Sequence, residues 1–222
     1  NIFLFSCPLI FSQLLEVMFN LSDVAVVGRF ADYRALGSVG STSLLVTLFT
    51  GFLIGMGAGV NVRVAHGLGA GNQKETEETI HSSFLICLVT GLIICAVGLT
   101  SSRAFLTLLH TKDELMEGAV NYLQIYSLGM PAMGLYNFGN GVMSARGDTK
   151  RPLVYLLIAG VLNVIMNLIF VIGFHMAAEG VAIASVMAQY TSAGLVLHHL
   201  WRRRDVCRLQ LRKVRFHRMA GV

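Results

Sequence analysis

The sequence predicts an all-α polytopic membrane protein, and three features of its composition support that prediction. The 222 residues are 55% hydrophobic, and the mean hydropathy is +0.66. Only 13% of the residues are charged, about half the usual share of a soluble domain. The charges also cluster between long neutral stretches, whereas a soluble protein of this size needs charge over its whole surface.

Six apolar stretches are long enough to cross about 30 Å of hydrocarbon as helices. They run roughly over 3–28, 35–62, 82–100, 118–144, 152–173 and 180–200. All but the first lack Asp, Glu, Lys and Arg, and none alternates apolar with polar residues as a barrel strand does. We therefore expect residues 1–201 to form a six-helix transmembrane lobe and residues 202–222 to form a basic cytoplasmic connector.

Local signals refine the spans. Pro131 predicts a kink in the fourth span, and Pro152 marks the opening of the fifth helix. Residues 101–117 mix charged and apolar positions at helical spacing, which predicts a short amphipathic helix on the outer membrane surface. A stripe of glycines in the second span predicts close helix packing, with a bend as the alternative; its members are Gly51, Gly55 and Gly59.

The distribution of basic residues predicts the orientation. With six spans, the loops near 63–81 and 145–151 and the tail after 201 lie on one side and hold 13 of the 17 Lys and Arg residues. The positive-inside rule makes that side cytoplasmic, so both termini of this segment face the cytoplasm and the location is the inner or plasma membrane. We interpret the basic tail as a segment near anionic lipid headgroups, and we predict no nucleic-acid partner.

Polar side chains inside two spans are the candidate functional residues. Glu16, Asn20 and Asp23 are spaced four and three apart and share one helix face, and Asn163 and Asn167 are four apart in the fifth span. Polar groups in hydrocarbon cost several kcal/mol without partners, so the two faces should turn toward one another or toward a water-filled cavity. A carboxylate there can bind and release a proton or a cation, as an ion-coupled pump requires. The alternative is that these side chains serve interhelical hydrogen bonding only.

Other chemistry finds little support in the sequence. No Ser/His/Asp or Cys/His set falls on one face, and no His or Cys spacing is that of a metal site. The glycine-rich stretch at 65–79 lacks the spacing of a phosphate-binding loop. We therefore predict neither an enzyme nor a resident cofactor.

Five motifs occur in one order along the chain: "PLIFSQLLEVMFNLSDVAVVGRF", "AHGLGAGNQKE", "ARGDTKRP", "LNVIMNLIF" and "EGVAIASVMAQ". Together they resemble the multidrug and toxic compound extrusion (MATE) transporters. The resemblance implies a twelve-helix antiporter that exchanges Na⁺ or H⁺ for cationic, often aromatic, drugs. This chain would be its N-terminal lobe, and we expect transport to require the C-terminal lobe as a partner.

The resemblance also assigns roles to residues. Asp23 matches the aspartate essential for coupling, and Asn163 and Asn167 match the two polar positions of the fifth helix. Na⁺ could bind at these three residues, and a hydroxyl that joins this site in some members matches Ser185. The proline associated with bending of the first helix matches Pro8.

The sequence departs from the family at Glu16, where Gln or an apolar residue is expected, so a second titratable group is predicted. Two alternatives stay open. One is the lipid-linked sugar flippase branch of the same superfamily, which is disfavoured because the spans contain no basic residue for an anionic cargo. The other is a six-helix membrane scaffold that does not transport.

Overall fold

The computed structural model describes residues 2–203 and 206–209 of the chain. Within them the structure is all-α, as the sequence predicts. The helices are α1 (Ile2–Phe30), α2 (Tyr33–Gly69), α3 (Gln73–Leu108), α4 (Asp113–Ser127), α5 (Met130–Ala145), α6 (Lys150–Leu168) and α7 (Ala178–Arg202). A π-helical turn, Ile169–Gly173, extends α6 directly.

Six membrane crossings arise from the seven helices because α4 and α5 share one. Helices α2, α3, α7 and the α6–π unit are each long and apolar enough to cross alone. Helices α4 and α5 have only 15 and 16 residues, and they follow one another across a break at 128–129, next to Pro131. The 29-residue α1 supplies the first crossing.

Short polar turns set the ends of α2 and α3. The side chain of Asp32 accepts a hydrogen bond from the Tyr33 amide at the start of α2. At the start of α3, Asn72 Oδ1 accepts from the Glu75 amide at 3.2 Å, while Asn72 Nδ2 donates to Glu75 Oε2 at 2.9 Å. Gly71, with φ of +67°, makes the turn between the two helices.

The prediction of a separate amphipathic helix at 101–117 is wrong. Helix α3 continues without a break to Leu108, and α4 begins at Asp113 after a four-residue turn. Ser102 and Leu106, on one face of this part of α3, are only 1% and 0% exposed, so this face packs inside the lobe.

The predicted glycine stripe does not mediate packing within the described residues. A Cβ added at its members would meet nothing within 4 Å. A different glycine makes the close contact of α2 with α5: a Cβ at Gly57 would lie 2.7 Å from the carbonyl oxygen of Asn137, and one at Gly141 would collide with the Gly57 carbonyl. Spacing identified a helix face, but the position of α5 decided which face is packed.

Helix α1 packs mainly against α6, and α6 packs against α7. Helices α2 to α5 pack chiefly among themselves, while α7 also contacts α4 and α5. The polar residues of α1 and α6 therefore lie beside α7 and near the inner faces of α2 and α4.

Candidate functional site

Three helices bring four polar side chains together. Helix α1 contributes Asp23, α6 contributes Asn163 and Asn167, and α7 contributes Ser185. Their exposed fractions are 6%, 4%, 0% and 6%, respectively. Asp23, on the predicted polar face of α1, contacts Asn167 on the predicted face of α6, so this packing prediction is confirmed for the described side chains.

The carboxylate of Asp23 accepts hydrogen bonds at both oxygens. Asn167 Nδ2 donates to Oδ1 at 2.5 Å, and the Ser185 hydroxyl donates to Oδ2 at 3.0 Å. Asn163 joins the two donors, because its Oδ1 accepts from Asn167 Nδ2 and its Nδ2 donates to Ser185 Oγ, both at 3.2 Å. Each of these donors is thus aimed toward an oxygen of a network centred on the Asp23 carboxyl group.

The hydrogen-bond donors to Asp23 among the described residues are all neutral. Among the described residues no Lys, Arg or His forms an ion pair with it. One buried acceptor beside it, Asn167 Oδ1, receives no hydrogen bond in that part of the chain. A buried carboxylate, two amide oxygens and a hydroxyl fit a proton or a hard cation such as Na⁺, whose preferred ligands are oxygens.

Asp23, Asn163 and Ser185 line a cavity of about 380 Å³. Its wall is largely apolar and aromatic, with Thr and Ser side chains of α2 on one side. The aromatic and sulfur-bearing part of the wall comprises Tyr122, Tyr126, Met133 and Tyr136. None of the described residues that line the cavity is Lys, Arg or His. The cavity can therefore hold an apolar or aromatic cation next to a carboxylate.

Sequence reasoning missed several of these lining residues. Tyr122 and Tyr126 stack with ring centroids 5.8 Å apart, and Gln189 on α7 has a buried Oε1 that receives no hydrogen bond within the described ranges. The sequence did carry a signal for the α7 residues. Ser185, Gln189 and Ser192 are spaced four and three apart, the same spacing that identified the polar face of α1.

Two predicted residues cannot be placed in the site. The backbone of α1 includes positions 8 and 16, but the side chains of Pro8 and Glu16 lie outside the described part of the structure. Their proposed roles in helix bending and in titration therefore stay predictions.

A second aspartate forms a network where α5, α6 and α7 meet at the other end of the lobe. Asp148 Oδ2 accepts from Arg151 Nη1 at 2.9 Å and from Arg203 Nη2 at 3.2 Å. Arg203 Nε also donates to His199 Nε2 at 3.1 Å. This aspartate joins the turn before α6 to the end of α7.

Comparisons with known proteins agree with this architecture. The MatE family model matches residues 8–169. The chain is 30% identical over 188 residues to the probable multidrug resistance protein YpnP of Bacillus subtilis, covering 84% of this chain and 42% of that protein. It is 23% identical over 210 residues to the probable multidrug resistance protein NorM of Thermotoga maritima, covering 93% and 44%. A crystal structure described as MATE in the bent conformation matches with a TM-score of 0.89 at 21% identity, covering 96% of this chain and 48% of that one. The chain thus spans less than half the length of the proteins it matches.

Proposed function

Because the chain belongs to the MatE family of membrane transporters, we propose that it forms the N-terminal lobe of an ion-coupled antiporter. The antiporter exports cationic, often aromatic, compounds across the cytoplasmic membrane in exchange for H⁺ or Na⁺. The observation that supports this most directly is the buried carboxylate of Asp23, which lines a cavity and whose hydrogen-bond donors among the described residues are neutral.

The ion step uses the two oxygens of Asp23. An uncompensated charge in a low-dielectric site is costly. Burial of Asp23 therefore favours binding of a proton or a cation to its carboxylate. Binding at Oδ2 displaces the Ser185 hydroxyl hydrogen, which is then free to rotate. Asn163 and Asn167 hold the carboxylate in place and supply amide oxygens to Na⁺. No cofactor other than the coupling ion is needed.

The cargo step uses the same cavity. An aromatic cation would stack on the tyrosines of α4 and place its charge near Asp23, and both contacts favour cations over anions. Since cargo and coupling ion then compete for one carboxylate, binding of one favours release of the other, which is the requirement for exchange. The described residues that line the cavity carry no basic side chain for an anionic lipid-linked sugar, which favours cationic cargo.

The orientation also belongs to this proposal. The end of the lobe at which α2, α5 and α7 terminate bears most of the basic residues, including Arg146, Lys150 and Arg202. We place this end, and both termini of the segment, on the cytoplasmic side of the membrane. Cysteine substitutions at Lys74 and Lys112, labelled from outside intact cells, test the assignment, and only position 112 should react.

The central test is Asp23→Asn in the full-length gene product. Asparagine keeps the size of the side chain but can neither bind a proton nor balance a cation. We expect drug export from loaded proteoliposomes to fall at least 100-fold under both an imposed proton gradient and an imposed Na⁺ gradient. The matched control is Asp32→Asn, which removes one carboxylate from an exposed helix cap and should export at the wild-type rate.

Each result has a defined meaning. Normal export by Asp23→Asn protein would remove the coupling role. A wild-type protein that binds no cation and moves no drug under either gradient would favour the scaffold alternative. Movement of a lipid-linked sugar that does not require Asp23 would favour the flippase alternative.

A further inference from the structure

The chain turns back on itself where α7 ends. The Leu209 amide donates to the carbonyl oxygen of Leu200 at 3.2 Å, which brings the segment after α7 alongside the last turn of the helix. Cys207 and Leu209 are 0% and 3% exposed, so they pack into the core of the lobe. Arg208, between these two anchors, is thereby placed beside the end of α7.

A small basic pocket results from this return. It has a volume of about 320 Å³ and is lined by Trp201, Arg202, Arg203 and Arg208. Three arginines therefore border one space, and none of the described lining residues is a carboxylate. This pocket is separate from the Asp23 cavity, with which it shares no lining residue.

Two of the three arginines lack a counter-charge. Arg203 is engaged by Asp148 and His199. Arg202 and Arg208, by contrast, form no ion pair or hydrogen bond within the described residues. The negative end of the α7 helix dipole accounts for a basic residue at Arg202. It does not account for the return of Arg208 to the same end of the helix. Guanidinium groups are well suited to bind the oxygens of a phosphate, because they can donate two parallel hydrogen bonds to it.

The fourth residue that lines the pocket is an exposed tryptophan. Trp201 is 59% exposed in the last turn of a transmembrane helix. Tryptophan at that position marks the level of lipid headgroups, where its ring contacts acyl chains and its N–H faces water. A soluble phosphate has no apolar part to contact Trp201, whereas a phospholipid presents a phosphate and an acyl chain together.

We infer that this pocket binds the headgroup phosphate of an anionic phospholipid, with the acyl chain against Trp201. Bound lipid would tie the end of α7 to the segment 206–209 by neutralising Arg202 and Arg208. The inference does not depend on the transport cycle and is tested by binding alone.

Trp201 provides the probe, because it is the single tryptophan of the sequence. The full-length gene product is reconstituted into phosphatidylcholine vesicles that contain a small fraction of either brominated phosphatidylglycerol or brominated phosphatidylcholine. Bromine quenches indole fluorescence on contact, and subtraction of a Trp201→Phe sample isolates the signal of this residue. We expect the anionic lipid to quench at a much lower mole fraction than the neutral one.

Charge removal provides the specificity control. The apparent affinity for phosphatidylglycerol should fall about fivefold in Arg202→Gln or Arg208→Gln protein and about 25-fold in the double variant. The matched control is Arg103→Gln with Lys112→Gln, which removes two exposed charges at the opposite end of the lobe and should leave quenching unchanged. The Arg202→Lys, Arg208→Lys protein should retain most of the affinity if the variants are correctly folded.

Three results would overturn the inference. One is equal quenching by the two brominated lipids. The second is an unchanged phosphatidylglycerol affinity in the double glutamine variant. The third is displacement of the lipid by millimolar inorganic phosphate, which would make free phosphate the ligand. The Asp23→Asn protein should keep its lipid preference, so failure of the transport proposal would not affect this result.

Discussion

Asp23 and Asp148 lie in the same lobe, but different kinds of partner hold them. Asp23 is 6% exposed and accepts from an amide and a hydroxyl, while Asp148, with a side chain 21% exposed, accepts from two guanidinium groups. Both networks join residues far apart in the sequence: Asp23 to Ser185, and Asp148 to Arg203. Of the two, Asp148 alone forms an ion pair with a basic side chain of the described residues.

We propose that this difference separates a structural carboxylate, Asp148, from an exchangeable one, Asp23. Arg151 and Arg203 are parts of the chain and neutralise Asp148 permanently, so no external ion is needed there. The neutral partners of Asp23 orient its oxygens without cancelling their charge. A mobile cation or proton can then bind and leave, which is the behaviour that a coupling site requires.

The largest effect should follow from giving Asp23 a fixed cation. In Asn163→Lys protein the ammonium can reach the carboxylate and form a permanent ion pair like that of Asp148. We expect export to fall at least 100-fold, as measured in proteoliposomes, although Asp23 is still present. Asn163→Gln, which changes the length but adds no charge, should retain at least a tenth of the activity. Wild-type export by the lysine variant would show that Asp23 does not need to be free of a fixed cation.

A smaller effect should follow from removing one neutral donor. Ser185→Ala removes the hydrogen bond to Asp23 Oδ2, and hydrogen bonds to charged groups contribute about 1.5–3 kcal/mol. We expect the export rate to fall about tenfold or more, with a weaker apparent affinity for the coupling ion. The control is Ser192→Ala, because this serine also lines the cavity but donates to Gln189 O within its own helix. Equal losses in the two variants would show that Ser185 acts through packing.

The smallest effect on transport should come from Asp148→Asn. This change removes the carboxylate charge that pairs with Arg151 and Arg203. Because both ion pairs are partly exposed, the free energy of unfolding should fall by only about 1 kcal/mol. The midpoint of thermal unfolding in detergent measures this, with Glu117→Gln as an exposed carboxylate that should have no effect. Export should stay within about twofold of wild type. A loss as large as that of Asp23→Asn would mean that the two aspartates are not different in kind.

Much of this arrangement could be predicted from the sequence. A bilayer requires about 20 apolar residues for each helix, so the six crossings follow from composition. Helical periodicity placed Asp23 on the polar face of α1 and Asn163 with Asn167 on one face of α6. The same rule applied to α7 would have found Gln189 and Ser192, which line the cavity beside Ser185.

The sequence alone determined which segments cross the membrane and which side chains share a helix face, because both depend on residues close together in the chain. The tertiary structure decided which faces meet. It selected Gly57 over the predicted glycine stripe, aimed Ser185 at the second oxygen of Asp23, stacked Tyr122 on Tyr126 in the cavity wall and returned Arg208 to the end of α7. These contacts depend on the rotation and separation of helices that are distant in sequence. Side-chain packing over the whole lobe sets both quantities.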